Sequence, residues 1–422
     1  MDKTIVPEFY VTVRTHPYLC KSCGMCVGVC PTNAVRMVLN EYSQYVPELN
    51  ENKCIHCQRC INCCPGIDIS NAKPFTKGDF RQLLIGSATN LEIRQHGASG
   101  GVVTALISWM LSCGLVSRAI NLDLSNSPIL PKPVVFTEAK QLMANGGSKY
   151  IIYPICDQLK KFDKHTVVTT LPCQSLAMRK ANLTEGYIFG LFCSKAYTKD
   201  LIRFVCEKEK IDSNEILSID YRHGDWPGVV QINTKTKSVD IPLQHSYYTA
   251  ASNGYYFSNQ GCLLCPDYFN ENSDISFGDP WGIEQNDDLK RGKTVIIVRT
   301  EKGQKLLAQA IKDQILSVEN LDESLLLKGH QNGIHFKKST LSIRLAKIQE
   351  MGLPLPKHNQ DLEQKKNGID FYIQGFYINN SIKLKKKYET IFKWSKARIF
   401  IHRYFIHFLQ TMSLKFRRDK SV

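Results

Sequence analysis

No apolar stretch follows a basic start in Met1–Cys20, so nothing there resembles an export leader. A reducing, cytoplasmic setting is therefore expected, and with it sixteen cysteines that serve metal rather than disulfides. Long uncharged runs are almost absent too. Only residues 95–117 lack Lys, Arg, Asp and Glu over a length near the ~20 residues of a membrane span. That run opens on the polar, flexible Gln95-His96-Gly97-Ala98-Ser99-Gly100-Gly101, and its helical part, Val102 to Cys113, is too short to cross a bilayer. It is expected to be a buried helix. Acidic residues are scarce in one place above all: residues 381–422 hold twelve Lys or Arg and two acids, supplying ten of the fifteen net positive charges. The basic balance is thus local, and a nucleic-acid-binding body is not expected. No internal repeat is present apart from paired cysteine runs. A chain of 422 residues, 43% hydrophobic, has room for two or three domains around a sizeable core.

The cysteine runs carry the strongest chemical signal. Cys20-x2-Cys23-x2-Cys26-x3-Cys30-Pro31 is followed by Cys54-x2-Cys57-x2-Cys60-x3-Cys64-Pro65. Each matches the bacterial ferredoxin pattern, in which three closely spaced thiolates wrap one cluster and the fourth, before Pro, ligates the other. Cluster one is assigned to Cys20, Cys23, Cys26 and Cys64, and cluster two to Cys54, Cys57, Cys60 and Cys30. A structural zinc site is the alternative. Residues 34–39 and 45–49 between the runs are expected to be short strands. Gly24 and Gly28 are expected to let amides approach cluster sulfurs, and Cys63 to be a packed thiol.

Residues 72–78 look like an exit linker. From about 80 to 210, apolar strands alternate with helices, which argues for an α/β layered domain. Strands are expected at 116–122, 134–136, 166–171 and 188–192, and helices at 101–112, 138–144, 174–180 and 198–208. From 215 to 300 the pattern is richer in strands, at 216–221, 229–233, 238–242, 274–278 and 294–299, with a helix at 301–312. Beyond 320 the chain is expected to be mainly helical.

Four further cysteines occupy marked positions. Cys173 and Cys193 each stand just past an expected strand end, where ligand sites of α/β sheets gather, and Cys262-x2-Cys265 precedes Pro266. Together they suit a third iron–sulfur cluster or a zinc site, the alternative being four unrelated thiols. Cys113, Cys156 and Cys206 are expected in the core. The Gly97–Gly101 turn opens a helix, and free amides there suit a phosphate or a flavin pyrophosphate. Flavin would also couple one-electron clusters to two-electron chemistry. Asp279, the turn Arg222-His223-Gly224-Asp225, and Lys195 are weaker candidates, balanced respectively by a cap, a solvated turn and an ordinary surface lysine.

Taken in order, Gly97-Ala98-Ser99-Gly100-Gly101-Val102-Val103-Thr104-Ala105-Leu106, Gly147-Ser148-Lys149-Tyr150, Pro172-Cys173-Gln174, Phe192-Cys193-Ser194, Cys262-x2-Cys265-Pro266-Asp267 and Asp274-Ile275-Ser276-Phe277-Gly278-Asp279 resemble the beta subunit of coenzyme F420 hydrogenase/dehydrogenase. The resemblance covers roughly residues 80–345, with Thr170-Leu171 where the family usually has Gly-Thr. It implies an FAD-binding iron–sulfur oxidoreductase. Ser99, Gly100 and Gly101 would lie nearest the FAD phosphates, with Ser148 and Lys149 near the flavin. Cys173, Cys193, Cys262 and Cys265 would hold a cluster beside it. The expected architecture is α+β / α/β: a two-cluster 4Fe-4S ferredoxin-like module (1–75), an α/β flavin and iron–sulfur domain (80–345), and a helical basic extension (346–422). Electrons would pass between a protein donor or acceptor and a small-molecule redox substrate, a deazaflavin among the candidates. The alternative is a non-catalytic electron-transfer subunit feeding a separate enzyme. No catalytic residue is assigned.

In the extension, Ile401, Phe405, Phe408 and Met412 fall on one helical face, with Lys396 and Arg403 opposite. Such a helix suits a partner or an anionic membrane surface, giving peripheral contact at the inner face of a membrane. Docking on the protein's own core is the other reading.

Overall fold

The computed structural model describes residues 4–70, 78–125, 127–283, 286–290, 292–358, 368–382 and 391–399, with isolated positions at 401, 404, 408 and 409. Two strands, β1 (Val35–Leu39) and β2 (Tyr45–Leu49), pair antiparallel between the cysteine runs. The strands β3 (Gln82–Ala88), β4 (Arg118–Asp123), β5 (Lys132–Phe136), β6 (Thr166–Thr170) and β7 (Tyr187–Leu191) follow. Next come β8 (Ile216–His223), β9 (Val229–Thr234), β10 (Ser238–Pro242), β11 (Ile275–Gly278), β12 (Thr294–Val298) and β13 (Leu316–Asn320).

Eight of these build one mixed sheet in the order β13-β3-β12-β11-β7-β6-β4-β5. Strands β11, β7, β6 and β4 are parallel neighbours, and β3 runs the same way because it is antiparallel to β12, itself antiparallel to β11. The central strands β6 (TVVTT) and β12 (TVIIV) are buried along their whole length. Continuous β-branched runs are what a sheet covered on both faces requires. Strands β8 to β10 form a separate antiparallel meander.

Helix Val102–Ser112 packs on the sheet in the main core with Phe136, Phe189 and Leu307. It starts after Gly101 (φ +71°) and ends before Gly114 (φ +74°), both left-handed positions that a glycine fills without strain. The expected buried helix is therefore observed, and no helix among the described residues is long and apolar enough to cross a membrane.

The N-terminal cysteine module does not stand apart. Cys23 and Met25 share one apolar cluster with Ile155, Cys156, Val168 and Met178 of the body. Tyr18 and Leu19 share another with Leu263, Phe336 and Tyr377. The two glycines of the first run serve this docking. A Cβ at Gly24 would lie 2.3 Å from the Pro154 carbonyl oxygen, and one at Gly28 2.3 Å from that of Cys156. The Cys156 amide donates to the Cys23 carbonyl at 3.0 Å.

Elements that escaped the sequence analysis include helices Ile5–Thr15, Leu91–His96 and Tyr247–Asn253, and strands β3 and β13. The extension is helical over Ile369–Ile382. Ile391 and Ile399 are buried against the core around β8 to β10, and Lys396 pairs with Glu209 at 2.7 Å. That stretch docks on the protein's own core. Ile401 and Phe408 are exposed. Phe405, Met412 and Arg403, like nearly all of the expected linker, lie outside the described residues.

Candidate functional site

The two ferredoxin-type runs fold alike. Ser22 and His56 both adopt φ +53°, and their amides donate to the thiols of Cys20 (3.3 Å) and Cys54 (3.4 Å). A four-residue helix follows in each, Met25–Gly28 and Arg59–Asn62. Amides of Ala34 and Gly66 donate to Cys30 (3.2 Å) and Cys64 (3.4 Å). Such bonds favour thiolate over thiol. At Cys30 burial opposes this, but the Ala34 amide and Thr32 outweigh it and the pKa falls. Burial pushes Cys20 up to about 12 and raises Cys23 and Cys26 well above the ordinary thiol value.

Three thiol sets result. Cys30, Cys54, Cys57 and Cys60 line one small enclosed space. Cys64 interacts electrostatically with each of Cys20, Cys23 and Cys26. Cys173 interacts with Cys193, Cys262 and Cys265. The sets adjoin, since Cys26 senses Cys60 and Cys23 senses Cys173. Among the described residues no three His, Cys, Asp or Glu side chains converge tightly enough to chelate a single ion. All sixteen cysteines are free. Of those expected in the core, Cys63, Cys156 and Cys206 are buried, but Cys113 is exposed because it caps the C-terminus of helix Val102–Ser112, past its buried face.

Cys173 sits in the first turn of helix Pro172–Lys180 after β6, and Cys193 just beyond β7. These are carboxyl ends of adjacent parallel strands. Along the same edge opens a cavity of about 860 Å³. Cys193 lines it, as do Gly97, Ser99, Gly101, Ser148 and Lys149. Gly100 stands behind the wall, its amide donating to Thr294 Oγ1 at 2.8 Å and its carbonyl accepting from Ala88. The Ser99 hydroxyl shares that Thr294 oxygen at 2.8 Å. Lys149 Nζ donates to the carbonyls of Asn145, Gly146 and Gly147, and burial lowers it to about 8 against the pull of Asp123 and Asp220.

Of the weaker candidates, Arg222, Asp279 and Lys195 line this cavity, whereas His223, Gly224 and Asp225 are exposed as the solvated-turn reading expected. Arg222 is buried rather than solvated. Its Nη1 donates to Asp279 at 2.7 Å and to the Tyr150 hydroxyl at 3.0 Å, and its Nε to the Pro227 carbonyl at 2.7 Å. Asp279 is thus the half-buried carboxylate partner of a buried arginine rather than a turn or cap residue. Lys195 lines the wall and donates to Asn253 at 2.9 Å. Two buried polar atoms of the lining have no protein partner, Arg222 Nη2 and Thr169 Oγ1. Sequence reasoning missed His330, whose ring bonds the Tyr268 hydroxyl (3.0 Å) and the Asp279 carbonyl (3.1 Å). Burial lowers its pKa to about 4. An isolated histidine on a helix gives no signal of that setting.

Comparison with known proteins accords with this arrangement. Residues 83–160 match the N-terminal part, and residues 163–324 the C-terminal part, of the coenzyme F420 hydrogenase/dehydrogenase beta subunit. Residues 19–69 match a 4Fe-4S dicluster domain. This chain belongs to the coenzyme F420 hydrogenase/dehydrogenase beta-subunit family, and carries a dicluster domain at its N-terminus. It is 25% identical over 300 residues to the coenzyme F420 hydrogenase subunit beta of Methanothermobacter thermautotrophicus, which covers 66% of this chain and 99% of that protein. It is 24% identical over 340 residues to the coenzyme F420-dependent sulfite reductase of Methanocaldococcus jannaschii, covering 74% of this chain and 49% of that protein. A chain of the F420-reducing NiFe hydrogenase complex from Methanosarcina barkeri has the same fold, with a TM-score of 0.52 at 22% identity, over 67% of this chain and 97% of the other.

Proposed function

We propose that this chain is an iron–sulfur flavoprotein that moves electrons between a protein partner and a small redox molecule in the cavity. The observation that carries the reading is the continuity of the three thiol sets, which adjoin one another and end at Cys193 in the cavity wall. Clusters in the sets would supply single electrons, and a flavin in the cavity would exchange them for two-electron chemistry.

The residues support each group. The match of residues 19–69 to a 4Fe-4S dicluster domain supports four-iron cubes rather than zinc in the two N-terminal sets. For FAD, the cavity lies within the usual range for ligand pockets, about 300–1,000 Å³. The unpartnered Arg222 and Thr169 atoms call for an acceptor from outside the protein. Ser99 and Gly101 line it and would hold phosphates, and Ser148 and Lys149 line it and would lie near the flavin. Burial protonates the inner thiols, so loading them with metal releases protons and grows stronger as pH rises.

Relatives named as hydrogenase and formate dehydrogenase subunits point to a protein partner, and their names to a deazaflavin as the small molecule. Anaerobic purification with iron, sulfide and flavin quantitation tests the reading. About twelve iron and one FAD are expected, at four iron per cube. About eight iron without flavin would reduce the protein to an electron carrier, and zinc in place of iron would refute the redox reading altogether. Turnover of the isolated chain with reduced deazaflavin or a nicotinamide separates an enzyme from a non-catalytic subunit.

A further inference from the structure

Three buried cations close on the turn that carries Cys262 and Cys265. Lys21 Nζ donates to the Gly261 carbonyl at 2.8 Å, Lys337 Nζ to that of Cys262 at 3.5 Å, and Arg344 Nε to that of Leu263 at 2.6 Å. Three successive carbonyls thus receive three positive charges, from the N-terminal module, from the helical turn His335–Ser339, and from helix Leu341–Glu350. The side chains are 5%, 1% and 0% exposed. Among the described residues none of the three pairs with a carboxylate. Arg344 completes its bonds with Thr340, Gln374 and the Phe336 carbonyl, all neutral. An unpaired buried charge costs several kcal/mol, so a concentration of three needs an anion beside it. The adjacent groups able to supply one are Cys173, Cys193, Cys262 and Cys265. Lys21 interacts with the first and the last two, and Lys337 with the last three.

The same count falls away along the relay. The set of Cys20, Cys23, Cys26 and Cys64 shares Lys21 and adds the largely buried Lys180. Among the described residues that line the space of Cys30, Cys54, Cys57 and Cys60 there is one cation, Arg59. Net charge near a cluster is one determinant of its reduction potential. Each electron gained adds one negative charge, with no bond made or broken, and a nearby fixed cation stabilises that added charge.

We propose that Lys21, Lys337 and Arg344 act as a cationic cage that raises the potential of the cluster at Cys173, Cys193, Cys262 and Cys265 above those of the two N-terminal clusters, and so biases electrons toward the cavity. The inference rests on the third cluster of the proposed function. It adds that the N-terminal module supplies part of the cage through Lys21, so docking is itself part of the tuning.

The test is an anaerobic redox titration of the full chain followed by electron paramagnetic resonance. It compares wild type with Lys337→Gln and Lys21→Gln, in which a neutral amide replaces the ammonium. One cluster in wild type should titrate at a higher potential than the other two. Each variant should lower that midpoint by at least ~59 mV, tenfold in the one-electron equilibrium. The cluster of Cys30, Cys54, Cys57 and Cys60 should not move, and Lys337→Arg should restore the wild-type value. A third signal with the same midpoint in wild type and both variants overturns the cage while leaving the cluster in place. Loss of the third signal from both folded variants also overturns it, since the lysines would then retain the cluster rather than tune it. Absence of a third signal from wild type removes the proposed function's inner cluster, and the cage with it.

Discussion

Arg222 presents one face of its guanidinium to Asp279 and Tyr150 and leaves Nη2 buried in the cavity wall. Removing one partner of a buried pair strands the other. Arg222→Gln should therefore cost about 3 kcal/mol, read as a fall in the urea midpoint, and should cut flavin content more than Asp279→Asn, which keeps the guanidinium. His330 carries an acid sensitivity. Folded, its ring stays neutral down to about pH 4, whereas an unfolded histidine takes up its second ring proton near the ordinary 6.5. The unfolded state thus binds protons first as pH falls. The stability this neutral ring contributes is complete above 6.5 and is lost between 6.5 and about 4. Urea midpoints measured across that window should fall more steeply in wild type than in His330→Gln. Lys149 works at the other end of the range. With its pKa lowered to about 8, its charge is present below that pH and lost above it. Binding of a phosphate-bearing flavin should weaken as pH rises through 8, and Lys149→Met should flatten the profile, as followed by flavin fluorescence.

Among the elements, the most testable is the short helix Met25–Gly28 against the segment that starts at Ile155. A Cβ at residue 28 must displace the Cys156 carbonyl from 2.3 Å. Gly28→Ala should loosen the docking by roughly 1–3 kcal/mol, seen as faster proteolysis between the module and the body. What sequence conveys about elements follows from how strongly burial constrains composition. Strands β6 and β12 are β-branched throughout because both faces are covered, and both were legible. Strand β3 hides because Gly86 interrupts its apolar run, and the missing side chain makes room for β13, where a Cβ would meet the Ser317 carbonyl at 2.3 Å. Strand β13 hides because one of its faces is solvated and polar. The cysteine sets were legible because cluster ligands need fixed spacings. The Arg222–Asp279 pair was not, since 57 residues separate its members. The burial of Lys21, Lys337 and Arg344 was not legible either, because it is a property of the packing.

At the scale of the molecule, module and body share apolar clusters, and their backbones bond at Cys23 and Cys156. Heat should therefore unfold residues 4–70 with the sheet in one calorimetric transition rather than two. Cys193 adds a consequence of another kind. Its thiol set is covered on one side by the Cys20 loop, where a Cβ on Gly261 would lie 2.0 Å from the Cys20 carbonyl, and on another by Lys337 and Arg344. Among the described residues, the cavity that Cys193 lines opens onto the same set. If the flavin of the proposed function seats there, it would close that opening to iron and sulfide, and loading is then expected in one order, metal first and flavin second.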